Sequence, residues 1–151
     1  MLFLLFHLDR DRYLLDVREI IEVLPLIDLM PLPQAPPAVA GILNYRGTLV
    51  PAIDLAQVML HRPARLRLHT RIILVHYPDA SGATQLLGLI AERVTETLRR
   101  DSNDFSASGV TVPHLGTVAS DAEGLAQRIK VCELLPTPVR QLLFQPPIPA
   151  E

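Results

Sequence analysis

The chain has 151 residues, 49% of them hydrophobic and 20% charged, which is enough apolar material for a core and too little charge for a disordered polymer. Its formal net charge of −2 excludes a strong general attraction to nucleic acid or to an anionic membrane. A single cysteine, Cys132, makes no internal disulfide and suits a reducing cytoplasm.

Leu2 to Leu8 is apolar almost throughout, as in a strand covered on both faces, and the charged cluster Asp9 to Arg12 turns it into a second strand from Tyr13 to Asp16. The opening apolar run has no basic flank and is too short for a secretion signal, and no other run approaches the roughly 18 residues that cross a bilayer. A soluble protein is expected. From Val17 to Leu24 two signals compete: Val17, Ile20, Ile21 and Leu24 recur at helical spacing, while the alternation at Ile21, Glu22 and Val23 favours a strand. Pro25, Pro31, Pro33, Pro36 and Pro37 then predict an extended connection with at most a helical turn at 37–40. Its interleaved Leu26, Leu29 and Leu32 favour a loop packed on its own domain over a free proline-rich ligand.

The most informative stretch is Gly41 to Leu55, GILNYRGTLVPAIDL. Ile42 and Leu43 lead into Asn44-Tyr45-Arg46-Gly47, where Asn and Gly adopt positive φ cheaply, and Thr48 to Val50 lead out, so a hairpin with Arg46 near its tip is expected. Pro51 cannot donate to a ladder and is expected at a strand end or edge. Asp54 followed by Gln57 resembles a capping box and predicts a short helix over 55–60. On local physics alone this is a well-made hairpin with an ordinary charged tip.

Four arginines crowd the connector His61 to Arg71, a grouping that could attract phosphate, but there is no aromatic interleaving. A solvated linker separating two halves of the domain is the expectation. Strands resume at Ile72 to Val75, turn through 78–82 and return as one strand from Gln85 to Thr97. A polar loop over 101–109 precedes a strand within 110–118, and a turn at 120–124 precedes another at 125–131. Pro138, Val139, Leu142 and Leu143 form a helical turn that packs back, and 145–151 has the composition of an untethered tail. So many short strands between turns make the chain mainly β, a barrel or a sandwich.

The run Gly-x-x-Asn-x-Arg-Gly-x-x-x-Pro-x-x-Asp-Leu, present here as Gly41 to Leu55, resembles the most recognisable segment of CheW-like domains, adaptors that couple chemoreceptors to a histidine kinase. The resemblance extends from Phe3 to about Leu135 and, among such proteins, is greatest to the small adaptors of Wsp-type surface-sensing pathways. It implies two five-stranded SH3-like barrels side by side with short helices, as one domain over 1–144 with a junction near 61–71. It also implies a turn near Val17 followed by a strand through Glu22. The partners it implies are a CheA-like histidine kinase, through its regulatory domain, and the cytoplasmic tip of a methyl-accepting chemoreceptor. Receptor contact would involve Ile20, Glu22, Arg46 and Val94, with Glu22 and Arg46 paired between the barrels, and kinase contact would involve Leu43, Asn44, Gly47 and Leu49. For Ile20 and Val94 a plain core role is an equal reading, because β-branched strand residues are usually buried. The chain departs from the family pattern where Gly-x-x-Val-Asp is common and Gly88-Leu89-Ile90-Ala91-Glu92 stands instead, and where its last strand ends in Lys130 to Leu135, more polar than usual.

Chemistry leaves little trace. His7, His61, His69, His76 and His114 show no metal-ligand spacing among themselves or with Cys132, and neither a nucleophile elbow, a phosphate-cradling glycine loop nor a hydrolytic triad is visible. The expectation is a cytoplasmic, non-catalytic adaptor without metal, cofactor, nucleic acid or membrane insertion, recruited to receptor arrays. The rival reading is a stand-alone β-barrel that binds a small molecule or single-stranded nucleic acid, which three tyrosines and no tryptophan support poorly. A hydrolytic enzyme would need a titratable cleft that the sequence does not display.

Overall fold

Successive side chains along most strands enter different cores, and that alternation organises the molecule. The structure is a computed structural model and describes residues 1–79, 81–106 and 115–144. Its strands are β1 (Leu2–Leu8), β2 (Asp11–Asp16), β3 (Ile20–Pro25), β4 (Val39–Tyr45), β5 (Thr48–Asp54), β6 (Arg71–Pro78), β7 (Thr84–Ala91), β8 (Glu96–Arg99), β9 (Phe105–Ser106), β10 (Leu115–Asp121) and β11 (Gly124–Ile129). Two short helices, α1 (Leu55–Leu60) and α2 (Thr137–Leu143), complete them.

The strands form two sheets, as expected of a mainly β chain. One has the order β3-β6-β7-β5-β4, and the other has the order β8-β1-β2-β11-β10-β9, in which β9 is a two-residue addition to five principal strands. Phe3, Leu5 and Leu14 fill the interior of the six-stranded sheet with Ala119 and Ala126. Val50, Ala52, Ile72, Leu74 and Ile90 fill that of the five-stranded sheet with Leu43. The intervening residues Leu4, Phe6 and Leu15 from one sheet meet Ile53, Ile73, Val75 and Leu89 from the other in a third core that joins them. Double-sided burial explains why Leu2 to Leu8 is apolar almost without interruption.

The connector 61–71 does not separate the two sheets. It leads from α1 to β6, both associated with the five-stranded sheet, while β1 and β2 pair with β8 and β11 from the far end of the chain. The predicted single strand from Gln85 to Thr97 breaks at Glu92–Thr95, where Arg93 takes a φ of 49° and the chain leaves one sheet for the other as β8. Consequently β6 and β7 share a sheet with the β4–β5 hairpin and belong to no second barrel.

Between β2 and β3 the helical spacing from Val17 resolves into a 3₁₀ turn, Val17–Glu19, capped by the Asp16 carboxylate, before the strand begins. The helical turn considered for 37–40 gives way to a reverse turn closed by Val39 N–H donating to Pro36 O, with β4 already running from Val39. Lys130 to Leu135 is no strand, because Val131–Glu133 form a 3₁₀ turn whose Val131 is buried in the joining core. Beyond it α2 folds back, with Val139 buried and the Phe144 ring stacked on Tyr77 at 5.1 Å. His114, part of the strand expected over 110–118, and the tail 145–151 lie outside the described residues.

Candidate functional site

The β4–β5 hairpin closes with a two-residue loop, Arg46-Gly47, in which both residues have positive φ, 51° and 87°. This turn matches the natural twist of the flanking strands. Asn44 was a candidate for positive φ, but it stays in β4 and its Oδ1 accepts the Gly47 amide at 2.8 Å, so the left-handed position falls to Arg46. The strain is local and the loop is well tied. Upstream, Met30 bridges to Ile42 through both backbone hydrogen bonds, 2.8 and 2.9 Å, and covers the outer edge of β4. Gly41, with φ at 150°, makes room for that crossing, because a Cβ there would lie 2.5 Å from the Met30 carbonyl oxygen.

Pro51 falls within β5, opposite Ile42, and neither ends a strand nor lies on an edge strand. Pairing of β5 with β7 begins only at Ala52, so the proline stands where the strand acquires its second neighbour. Asp54 then caps α1, accepting the Ala56 amide at 3.0 Å and the Ala64 amide at 2.8 Å. Burial pushes its carboxyl upward, opposed by these backbone donors.

Glu22 and Arg46 approach to 3.7 Å, with the Arg46 side chain 76% exposed. The Arg46 guanidinium lies 5.2 Å from the centre of the Tyr45 ring, and a hydrogen bond to the Glu22 carboxylate pushes the Tyr45 hydroxyl above its ordinary pKa. Glu22 is on β3 and Tyr45 on β4, the two outer strands of one sheet, so this cluster links the two edges of that sheet and does not bridge the two sheets. Its third member, Tyr45, carried no signal in the sequence beyond its place in the turn.

The eight residues singled out from sequence divide by exposure. Asn44, Arg46, Gly47 and Leu49 are exposed, Leu49 at 68%, and all four lie on or beside the hairpin tip. Glu22 and Ile20 are half-buried on β3, where Ile20 packs against the joining core. Leu43 at 1% and Val94 at 8% are enclosed, Leu43 within the five-stranded sheet and Val94 in the joining core. These two shape the surface from beneath.

A second charged cluster escaped the sequence reading. Glu92, buried, accepts the Arg62 guanidinium at 2.6 Å and the Arg65 amide at 3.1 Å, while Arg62 also reaches Asp9 at 2.8 Å. The connector is therefore anchored to the fold and is no free linker, although most of its side chains face solvent. Glu92, where the chain departs from the family pattern, is the hub of this network. Arg12, also buried, pairs with Asp121 at 2.9 Å, and Arg100 reaches the same carboxylate at 2.7 Å. Among the described residues, no three or more His, Cys, Asp or Glu come together to hold a metal, and no helix is long and apolar enough to cross a membrane.

Paired small β-sheets joined by a common core, with two short helices, define a mainly β, two-sheet domain. Residues 2–136 match the CheW-like domain, and the chain belongs to that family. A crystal structure of the scaffolding protein TtCheW from Thermoanaerobacter tengcongensis is similar, with a TM-score of 0.80 at 25% identity, covering 91% of this chain and 89% of that one. Two proteins named chemotaxis protein CheW are related in sequence. The Helicobacter pylori protein is 26% identical over 103 residues, 68% of this chain, and the Treponema pallidum protein is 24% identical over 115 residues, 74% of this chain. The matches span 59% and 65% of those relatives' lengths.

Proposed function

We propose that the chain is a non-catalytic cytoplasmic adaptor that couples a methyl-accepting chemoreceptor to a CheA-like histidine kinase, in chemotaxis or in Wsp-type surface sensing. The observation that carries this reading is the rigid hairpin whose tip holds an exposed arginine beside Tyr45 and Glu22, with Leu49 standing out of the same ribbon. A scaffold needs only a fixed face with different affinity for two states of a partner, and no bond-making chemistry. In this reading Glu22 and Arg46 meet the helical tip of the receptor, while Ile20 and Val94 shape the groove that receives it. Asn44, Gly47 and Leu49 meet the regulatory domain of the kinase, with Leu43 supporting them from the core.

The test combines the purified protein with the kinase and a receptor signalling domain and follows both ternary-complex formation and kinase autophosphorylation. Arg46→Gly keeps the left-handed turn and removes the guanidinium, and it is expected to weaken receptor binding by about 2 kcal/mol. Leu49→Ser is expected to weaken kinase binding selectively. Wild-type affinity of both variants for both partners in calorimetric titration would reject the assignment.

A further inference from the structure

We propose that the basic connector is a second docking surface, built for an acidic, leucine-rich segment of a partner protein. It shares no residue with the hairpin cluster. Leu66 and Leu68 are 74% and 80% exposed, the most exposed large apolar side chains among the described residues. Single exposed leucines are ordinary, and mobile loops tolerate them, but this loop is fastened. Glu92 takes the Arg62 side chain and the Arg65 amide, the Thr70 hydroxyl donates to Arg65 O and accepts the Arg67 amide, and Val94 N–H donates to His69 O at 2.9 Å. The two leucines are thus held out to solvent by buried or half-buried anchors on both sides.

Charge and shape around them are specific. A cavity of about 260 Å³ lies beside the loop, lined by Arg65, Arg67, Leu68, His69 and Arg93, and by Glu92, which is already paired with Arg62. Arg67 and Arg93 make no ion pair among the described residues, and Arg93 is kept in the left-handed region at the sheet crossover. Apolar side chains alternate with arginines along Arg65-Leu66-Arg67-Leu68. The complement is a segment in which leucine-type side chains cover Leu66 and Leu68 while its carboxylates meet Arg67 and Arg93. Single-stranded nucleic acid fits less well, because no Phe, Tyr or Trp ring lines the cavity to offer a broad stacking platform for successive bases. An anionic bilayer fits less well too, since two leucines on a non-helical loop offer little area for interfacial burial.

The test is fluorescence anisotropy with four probes: a labelled peptide of alternating glutamate and leucine, its lysine–leucine counterpart, a labelled oligothymidylate, and phosphatidylcholine vesicles containing phosphatidylserine. The glutamate–leucine peptide is expected to bind best, and more weakly as salt rises. Leu66→Ser/Leu68→Ser and Arg67→Glu/Arg93→Glu are each expected to lower that affinity at least about tenfold with unchanged denaturation midpoints, because the four side chains are exposed. Arg46→Gly is expected to leave peptide binding intact, which separates this surface from the adaptor reading. No binding of the acidic peptide, equal binding of the basic one, indifference to the substitutions, or tighter binding to oligothymidylate or vesicles would each overturn the proposal.

Discussion

A methyl group at Gly41 would stand 2.5 Å from the Met30 carbonyl oxygen on a backbone with φ at 150°, so neither space nor conformation accommodates it. Gly41→Ala is expected to cost about 2 kcal/mol, read as a lower denaturant midpoint at constant slope, with faster hydrogen exchange at Met30 and Ile42 as the edge-covering bridge opens. The motif's glycine thus has a structural reason, whereas its arginine has none of comparable size. Arg46 spends left-handed strain on an exposed pair worth about 0 to 1 kcal/mol. Arg46→Gly is therefore expected to leave stability unchanged or slightly higher, measured by the same denaturation. Titration follows from other residues. Hydrogen bonds from Arg12 and Arg100 hold the Asp121 carboxyl well below its ordinary 3.8, and the Arg18 side chain lowers Asp16 in the same direction. Because the folded values lie below the unfolded ones, this stabilisation is present above the ordinary carboxylate range and is lost as pH falls through and beneath it. Asp54, raised by burial, works in the opposite sense and partly offsets the loss. Acid titration of the midpoint is expected to fall below roughly pH 4. Asp121→Asn is expected to flatten that fall while lowering stability at neutral pH by about 2 kcal/mol, since buried Arg12 loses the carboxylate it bonds through both terminal nitrogens and keeps only the more distant, exposed Glu123.

At the scale of elements, what was legible depended on how far apart the interacting residues lie. The hairpin and α1 are written in neighbouring residues, so Asn44-to-Gly47 and Asp54-to-Gln57 announced them. Even there the detail shifted, because Asn44 is more useful bonding the Gly47 amide from within β4 than taking the left-handed position itself. The connector was misread because its anchors are remote: Arg62 meets Glu92 thirty positions on and Asp9 fifty-three positions back. No local window contains both partners, and four arginines without visible carboxylates look like a solvated face. The same network carries an energetic consequence. Glu92 is buried, so Arg62→Ala leaves a carboxylate without its principal counterion and is expected to destabilise the fold by about 3 kcal/mol. Arg62→Ala combined with Glu92→Gln is expected to recover part of that loss. A double-mutant cycle measures the coupling, and additivity would show that the connector is held by its backbone bonds alone.

At the scale of the whole molecule, the order of strands in the sheets is what the sequence hid most completely. Period-two burial identifies strands and even marks those covered on both faces, but it does not say which strand lies beside which. Pairing of β2 with β11 and of β5 with β7 is parallel and long-range, and no turn residue records it. The resulting interleaving has a mechanical meaning. A cut in the connector leaves β1 and β2 without β8 and β11, and it also leaves β3, β4 and β5 without β6 and β7. Neither fragment retains a complete sheet, and the joining core draws Leu4, Phe6 and Leu15 from one side of the cut and Ile73, Val75 and Leu89 from the other. Residues 1–144 are accordingly expected to unfold in one cooperative step, with calorimetric and van't Hoff enthalpies in agreement. Fragments divided within 61–71 are expected to show no cooperative transition alone and to regain one when mixed, because the surfaces each exposes are the other's core. Two separate transitions in the intact chain, or independent folding of either fragment, would mean that the sheets are autonomous units and that the joining core contributes little.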